Sequence, residues 1–305
     1  MSGDDFDEFS FLPDQAADAG IPDPLPLPER LRLILPDGRT LSALRYRPAS
    51  DPDAAPVVTF LHRAGLNAHT WDTTILALGL PALAIDLPGH GDSSWRDDLA
   101  YVGSALAPDV AAGMRAWTEG PQLLVGQSLG GLTAAAVAAS EPDLVRELVV
   151  IDITPGIDPD GDARQIARFF AGPTDWAGRD ELVERALAFG LGGSRTAATR
   201  GVYLNSRLRP DGRVEWKHHF AHLANAGAAL PAGDAVARVL ADSGWAALSA
   251  VRAPIMLIRG ERGYVTAADA AEFSRRLPGA RVVAVPAGHN VQEEIPVPLG
   301  RMLRG

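Results

Sequence analysis

Short apolar runs recur along the chain, and each is continuous rather than alternating: Val57 to Leu61, Ala82 to Ile85, Leu123 to Val125, Leu148 to Ile151, Ile255 to Ile258 and Val282 to Val285. Runs of this kind suit strands buried on both faces of a sheet. Helical stretches lie between them, at Asp109 to Trp117, Leu132 to Ala139, Ala267 to Arg276 and Val291 to Leu303. This alternation predicts an α/β architecture with a mostly parallel central sheet flanked by helices. Ahead of it, Leu31 to Leu35 and Leu41 to Tyr46 flank Pro36-Asp37-Gly38-Arg39, a turn signal that predicts a β-hairpin. Right-handed crossovers carry the C-terminal ends of parallel strands to one edge, where ligands bind in such sheets.

The alternation stops between Pro155 and about Leu248. There the strong patterns are helical, as in Asp180 to Phe189, with charge on one face and Leu182, Ala186 and Leu187 on the other. Residues 156–248 are therefore expected to form a helical cap, or lid, inserted between two parts of one core, 29–155 and 249–305, and hanging over the ligand edge. Residues 1–28, rich in Asp, Pro and Ala without periodicity, are expected as a mobile tail or a segment laid over the surface.

Composition narrows the function classes. The chain has 305 residues, of which 47% are hydrophobic and 22% charged, which is ordinary for a soluble globular protein. A formal net charge of −10 argues against nucleic acid or an anionic membrane as the partner, since either needs a basic footprint, and leaves a small molecule. An acidic start at Met1 to Ser10 and the lack of a run of about 18 apolar residues predict a cytoplasmic protein. With no cysteine there is no disulfide or thiolate nucleophile. His218, His219 and His222 cluster on an expected cap helix, no metal site is expected of them, and no phosphate-cradling glycine motif implies a nucleotide cofactor.

The chemistry concentrates at Val125-Gly126-Gln127-Ser128-Leu129-Gly130-Gly131. A G-x-S-x-G frame between an apolar run and an alanine-rich helix is a nucleophile elbow: the tight strand-to-helix turn exposes the hydroxyl of Ser128, and the glycines remove side chains that would collide there. A serine nucleophile needs a base, an acid to orient it, and N–H donors for the oxyanion. His289, in Pro286-Ala287-Gly288-His289-Asn290, follows a strand and precedes the last helix, so it is the candidate base. The donors are the N–H groups of Leu129 and, within Leu61-His62-Arg63-Ala64-Gly65, of Ala64. His62 reads as a structural member of that loop.

These landmarks, with Asn67-Ala68-His69-Thr70-Trp71-Asp72, Asp86-Leu87-Pro88-Gly89-His90-Gly91-Asp92 and Gly288-His289-Asn290-Val291-Gln292, resemble those of the α/β-hydrolase fold in number and order, over about residues 31–303. Where many members carry Gly after the loop histidine, this chain carries Arg63, and His90 resembles a structural landmark. Most members place an Asp after the penultimate strand, in a G-x-x-D pattern. Here that segment reads Gly260-Glu261-Arg262-Gly263, with Gly263 at the acid's position. A smaller set of capped serine esterases places the acid one strand earlier, which implies Asp152, 24 residues beyond Ser128. Glu261 is the alternative.

The resemblance implies a cofactor-independent serine esterase acting on a small ester. Carbon-carbon bond hydrolases, lactonases and non-catalytic receptors or interaction proteins share the fold. Arg63 and Arg262, if they face the pocket, suit a monoester carrying a free carboxylate. Trp176, with other apolar cap residues, is a candidate pocket wall.

Overall fold

The computed structural model describes residues 6–155, 172–189, 192–223 and 244–304. Helix α1 (Leu12–Asp18) opens the chain. The hairpin forms as β1 (Leu27–Ile34) and β2 (Thr40–Arg47), and it is followed by β3 (Val58–Leu61), α2 (Asp72–Leu78), β4 (Ala82–Asp86) and α3 (Gly103–Trp117). Then come β5 (Gln122–Gln127), α4 (Leu129–Ser140) and β6 (Val145–Ile151). The insert contributes β7 (Asp175–Trp176), α5 (Arg179–Ala188), α6 (Arg195–Asn205), β8 (Ser206–Leu208), β9 (Val214–Trp216) and α7 (Phe220–Leu223). The chain closes with α8 (Trp245–Ala250), β10 (Ile255–Arg262), α9 (Ala267–Arg276), β11 (Arg281–Gly288), α10 (Val291–Glu294) and α11 (Pro296–Arg304).

Eight strands form one sheet in the order β1-β2-β4-β3-β5-β6-β10-β11. The hairpin and the β2–β4 pair are antiparallel and all other pairs are parallel. Alternate residues of one strand feed two apolar layers: Leu83 and Ile85 pack with Leu106, Val110 and Leu132, while Ala82 and Ala84 pack with Trp71, Ile75 and Leu299. Burial on both faces explains why these strands read as unbroken apolar runs. It also fixes register, since a slip of one residue would exchange the two layers.

The single C-terminal helix expected over Val291 to Leu303 is two helices, because Pro296 has no N–H to continue the first. The insert is not purely helical: among its described residues, β7, β9 and β8 make a small antiparallel sheet. Strands of two or three residues are too short to show a period. The helices expected within 156–171 and 224–243 lie outside the described residues.

Part of the stretch expected as a tail is ordered helix. Leu12 and Ala16 of α1 join the apolar layer over α2, and Glu8 enters a buried ionic cluster. Glu8 pairs with Arg30, which also donates to Asp86 Oδ2 at 2.6 Å. His69 lies between two carboxylates, with Nδ1 3.0 Å from Asp72 Oδ2 and Nε2 3.1 Å from Glu8 Oε2. Tyr46 donates to the other oxygen of Asp72 at 2.6 Å, and Arg30 Nη2 approaches His69 Nε2 at 3.4 Å.

Burial alone would lower the His69 pKa, but the Asp72 and Glu8 carboxylates outweigh it and raise it from 6.5 to about 9. A folded-state value above the unfolded one stabilises fully below about pH 6.5, and the stabilisation is lost as pH rises through about 9. His69→Gln is therefore expected to cost about 3 kcal/mol at pH 6 and much less at pH 9.5. Denaturant titrations at both values check this, and equal losses would show that His69 is the neutral imidazole, not the cation, in the fold.

Candidate active site

Three candidate residues each stand one position beyond a strand of the same sheet: Ser128 after β5, Asp152 after β6 and His289 after β11. Register brings the first two together. Gln127 pairs with Ile151, and the Ser128 N–H donates to Ile151 O at 3.0 Å. Ile151 pairs in turn with Ile258 of β10, whose carbonyl accepts from the Asp152 N–H at 2.8 Å.

Ser128 sits at φ 53° and ψ −120°, in the left-handed half of backbone space that side chains avoid. The elbow is held there by close backbone approach. A Cβ on Gly126 would lie 2.2 Å from Gly130 O, and one on Gly130 would lie 2.3 Å from Leu61 O. Leu129 is the first residue of α4, so its N–H lies in the turn whose donors have no intrahelical acceptor.

Asp152 also has positive φ, 47°, and is fully buried. Its carboxylate accepts from the N–H groups of Gly260 at 3.0 Å and Tyr264 at 2.7 Å, and its Oδ2 lies 2.8 Å from His289 Nδ1. A buried charge requires this many donors. A Cβ at Gly263 would fall 2.3 Å from Asp152 Oδ2. The position at which most such chains carry the acid is thus filled by a carboxylate reaching across from the neighbouring strand, and Gly263 is the residue that leaves it room. Glu261 is exposed at the surface.

The histidine loop is fastened to the elbow. Gln127 Nε2 donates to His289 O at 2.8 Å, and Gln292 Nε2 donates to Gln127 Oε1 at 3.3 Å and to Thr70 Oγ1 at 3.1 Å. The ring of Tyr264 stacks on the imidazole, with centroids 3.7 Å apart and planes at 14°. Sequence reading did not assign these supporting roles. Gln127 sits inside the elbow motif and Gln292 inside the histidine landmark, but no periodicity points to Tyr264.

In the loop after β3, His62 Nδ1 donates to Arg63 O at 2.7 Å, and its Nε2 accepts from the Leu87 N–H at 2.9 Å. Burial pushes its pKa down to about 4, so it is a neutral strut. Arg63 is 8% exposed. Its Nε donates to Asn290 Oδ1 at 2.8 Å and its Nη1 to Ala64 O at 2.8 Å, and among the described residues no carboxylate pairs with it. Burial lowers its pKa, opposed by Glu293 and Tyr264.

A cavity of about 560 Å³ opens beside this loop, between the core and the insert. Arg63 and Asn290, chain neighbours of Ala64 and His289, line it, while Ser128 itself does not. Two predicted pocket residues lie elsewhere. Arg262 is on the surface, paired with Glu294 at 2.9 Å, and Trp176 packs with Leu182, Val202 and Trp216 in the insert's own apolar cluster, because its ring is worth more inside that small core than on a wall. The histidines pack among aromatic rings: His219 stacks on Trp95 and lies 2.7 Å from the Tyr101 hydroxyl, His222 meets the same Trp95 ring at 4.9 Å, and His218 stacks on Trp216. Among the described residues no group of His, Asp and Glu is arranged to hold a metal ion, and no helix is long and apolar enough to cross a membrane.

A parallel sheet with a strained serine elbow and a histidine–aspartate pair at one edge defines an α/β-hydrolase, and a profile described as the alpha/beta hydrolase family matches residues 60–299. The chain belongs to that family. It is 37% identical to the esterase Rv0045c of Mycobacterium tuberculosis, over 98% of this chain and 95% of that one. It is 32% identical to the 2-(acetamidomethylene)succinate hydrolase of Mesorhizobium japonicum, over 80% and 84% of the two chains. A solved structure of the M. tuberculosis esterase matches with a TM-score of 0.83 at 36% identity, covering 99% of each chain.

Proposed function

We propose that the protein is a serine hydrolase that cleaves a small carboxylic ester through an acyl-enzyme, with the insert acting as its cap. The observation that carries this reading is the pairing of His289 Nδ1 with the buried Asp152 carboxylate, at the same strand edge as the strained Ser128. An esterase similar over nearly the whole chain supports carboxylic esters as the substrate class.

Ser128 Oγ attacks the ester carbonyl as its proton passes to His289 Nε2. Asp152 fixes the imidazole in the tautomer with Nδ1 protonated and stabilises the imidazolium. The negative oxygen is received by the N–H groups of Leu129 and Ala64. His289 then returns the proton to the departing alcohol. Water, deprotonated by the same imidazole, attacks the acyl group, which leaves as the acid while Ser128 regains its proton. No step calls for a metal or an organic cofactor.

The finer substrate class rests on Arg63. A buried guanidinium that lines the cavity and, among the described residues, pairs with no carboxylate suits an ester that carries a free carboxylate of its own. Two matched substrates test both levels: p-nitrophenyl hexanoate and the mono-p-nitrophenyl ester of adipic acid. Wild type is expected to turn over both and to favour the adipate. Arg63→Ala should lower kcat/KM for the adipate by about 10- to 100-fold, in line with a charge-assisted hydrogen bond, and for the hexanoate by less than about threefold. Failure of wild type to cleave any ester in a broad panel would overturn the hydrolase reading. Equal losses on both esters would leave Arg63 only the task of tethering the histidine loop through Asn290.

A further inference from the structure

The N-terminal segment reaches both walls of the cavity. On the core side, Gln15 and His69 line it, Gln15 Nε2 donates to Thr73 Oγ1 at 3.2 Å, and Glu8 secures His69 from behind. On the insert side, helix α6 supplies Ala197, Ala198, Gly201 and Val202 to the opposite wall. Two phenylalanines join the segment to that helix. Phe6 and Phe11 lie 5.3 Å apart, and their rings meet Tyr203 of α6 at 5.5 and 6.4 Å. The guanidinium of Arg179 from α5 covers the same Tyr203 ring at 4.7 Å.

Phe6 and Phe11 belong to neither apolar layer of the core, unlike Leu12 and Ala16 on the same segment. What they hold is therefore the insert rather than the sheet. The far end of α6 is pinned to the loop that carries Arg63 and Ala64: Asn67 Nδ2 donates to Leu204 O at 2.8 Å, and Asn205 Nδ2 donates to Gly65 O at 2.7 Å. Tyr203 is the residue just before this pair, so its ring and the pinned end of α6 together hold this wall of the cavity.

We infer that residues 6–18 form a clasp that fixes the position of α6 and thereby sets how well the cavity grips a long acyl chain. This rests on the hydrolase reading for its substrate. Phe6, Phe11 and Tyr203 are positioning residues, with Glu8 and His69 as the clasp's anchor on the core. Loss of both phenylalanine contacts to Tyr203 amounts to roughly a tenfold effect in an equilibrium constant.

The test uses the full chain with Phe6→Ala/Phe11→Ala, Tyr203→Ala, the triple variant, and Tyr203→Phe as the conservative control. With p-nitrophenyl acetate and p-nitrophenyl octanoate, the phenylalanine pair and Tyr203→Ala should each raise KM for octanoate by about tenfold. Both should leave kcat for acetate within about twofold of wild type. The triple variant should be no worse than the phenylalanine pair, because one contact has been broken from both sides, and Tyr203→Phe should behave as wild type. Hydrogen exchange at the amides of α6 reads the same clasp without turnover, and should quicken at least about fivefold in the phenylalanine pair and in Tyr203→Ala. Equal effects on both esters, full additivity in the triple variant, or unchanged exchange in α6 would overturn the clasp. A wild type that cleaves neither ester overturns the hydrolase reading instead, and the exchange result then decides the clasp alone.

Discussion

Asp152→Asn is expected to lower kcat by about 10⁴-fold while leaving the fold intact. The substitution keeps size and shape but turns one acceptor into a donor. The carboxylate now takes hydrogen bonds from the Gly260 and Tyr264 N–H groups and meets Nδ1 of His289. An amide offers only one oxygen to these donors, so its NH₂ must face either the Gly260 N–H, at the Oδ1 position, or the Tyr264 N–H and the imidazole together, at the Oδ2 position. The first arrangement costs about 1–3 kcal/mol for an unmet donor, and the second flips the imidazole to the tautomer that cannot take the serine proton. Glu261→Gln, at the exposed alternative position, should change kcat by less than about twofold. If Glu261→Gln were the damaging variant and Asp152→Asn remained within tenfold of wild type, the assignment of the acid would be wrong. Moving the charge gives a positive control: Asp152→Gly/Gly263→Asp places a carboxylate on the neighbouring strand and should recover part of the activity lost in Asp152→Gly.

Ser128→Ala should be more damaging still, by about 10⁶-fold in kcat, and should abolish covalent labelling by a fluorophosphonate probe. The elbow adds a stability signature that an ordinary surface serine would not give. Any side chain at φ 53° is strained by about 1–2 kcal/mol, so Ser128→Gly should be inactive yet more stable than Ser128→Ala by about 1 kcal/mol. Thermal unfolding of the two inactive variants, side by side, makes the comparison. Persistent probe labelling in Ser128→Ala would remove Ser128 as the nucleophile.

Much of this is legible in the sequence. Strands buried on both faces announce themselves as apolar runs, and the elbow does so because its glycines, demanded by backbone contacts within the turn and with the end of β3, fall inside one seven-residue stretch. The histidine–aspartate pair could be anticipated only through family likeness, since Asp152 and His289 are 137 residues apart and nothing local links them. Three things escaped. Helix α1 is short and its apolar residues are few, so it has no period to detect. The strands of the insert owe their pairing to one another rather than to local pattern. The positions of Trp176 and Arg262 depend on whether a side chain finds partners in a core, in the cavity or in Glu294, which is a property of three-dimensional packing and invisible to spacing.

The end of β10 and the turn after it serve the buried carboxylate through the main-chain amides of Gly260 and Tyr264. No acidic side chain is needed there: Glu261 and Arg262 face the surface, while Gly263 is pinned by the volume of a group that belongs to a different strand. A lineage that restored the acid at that glycine would have to surrender Asp152 in the same step, so the two arrangements exclude each other sterically, and intermediates carrying both would not pack.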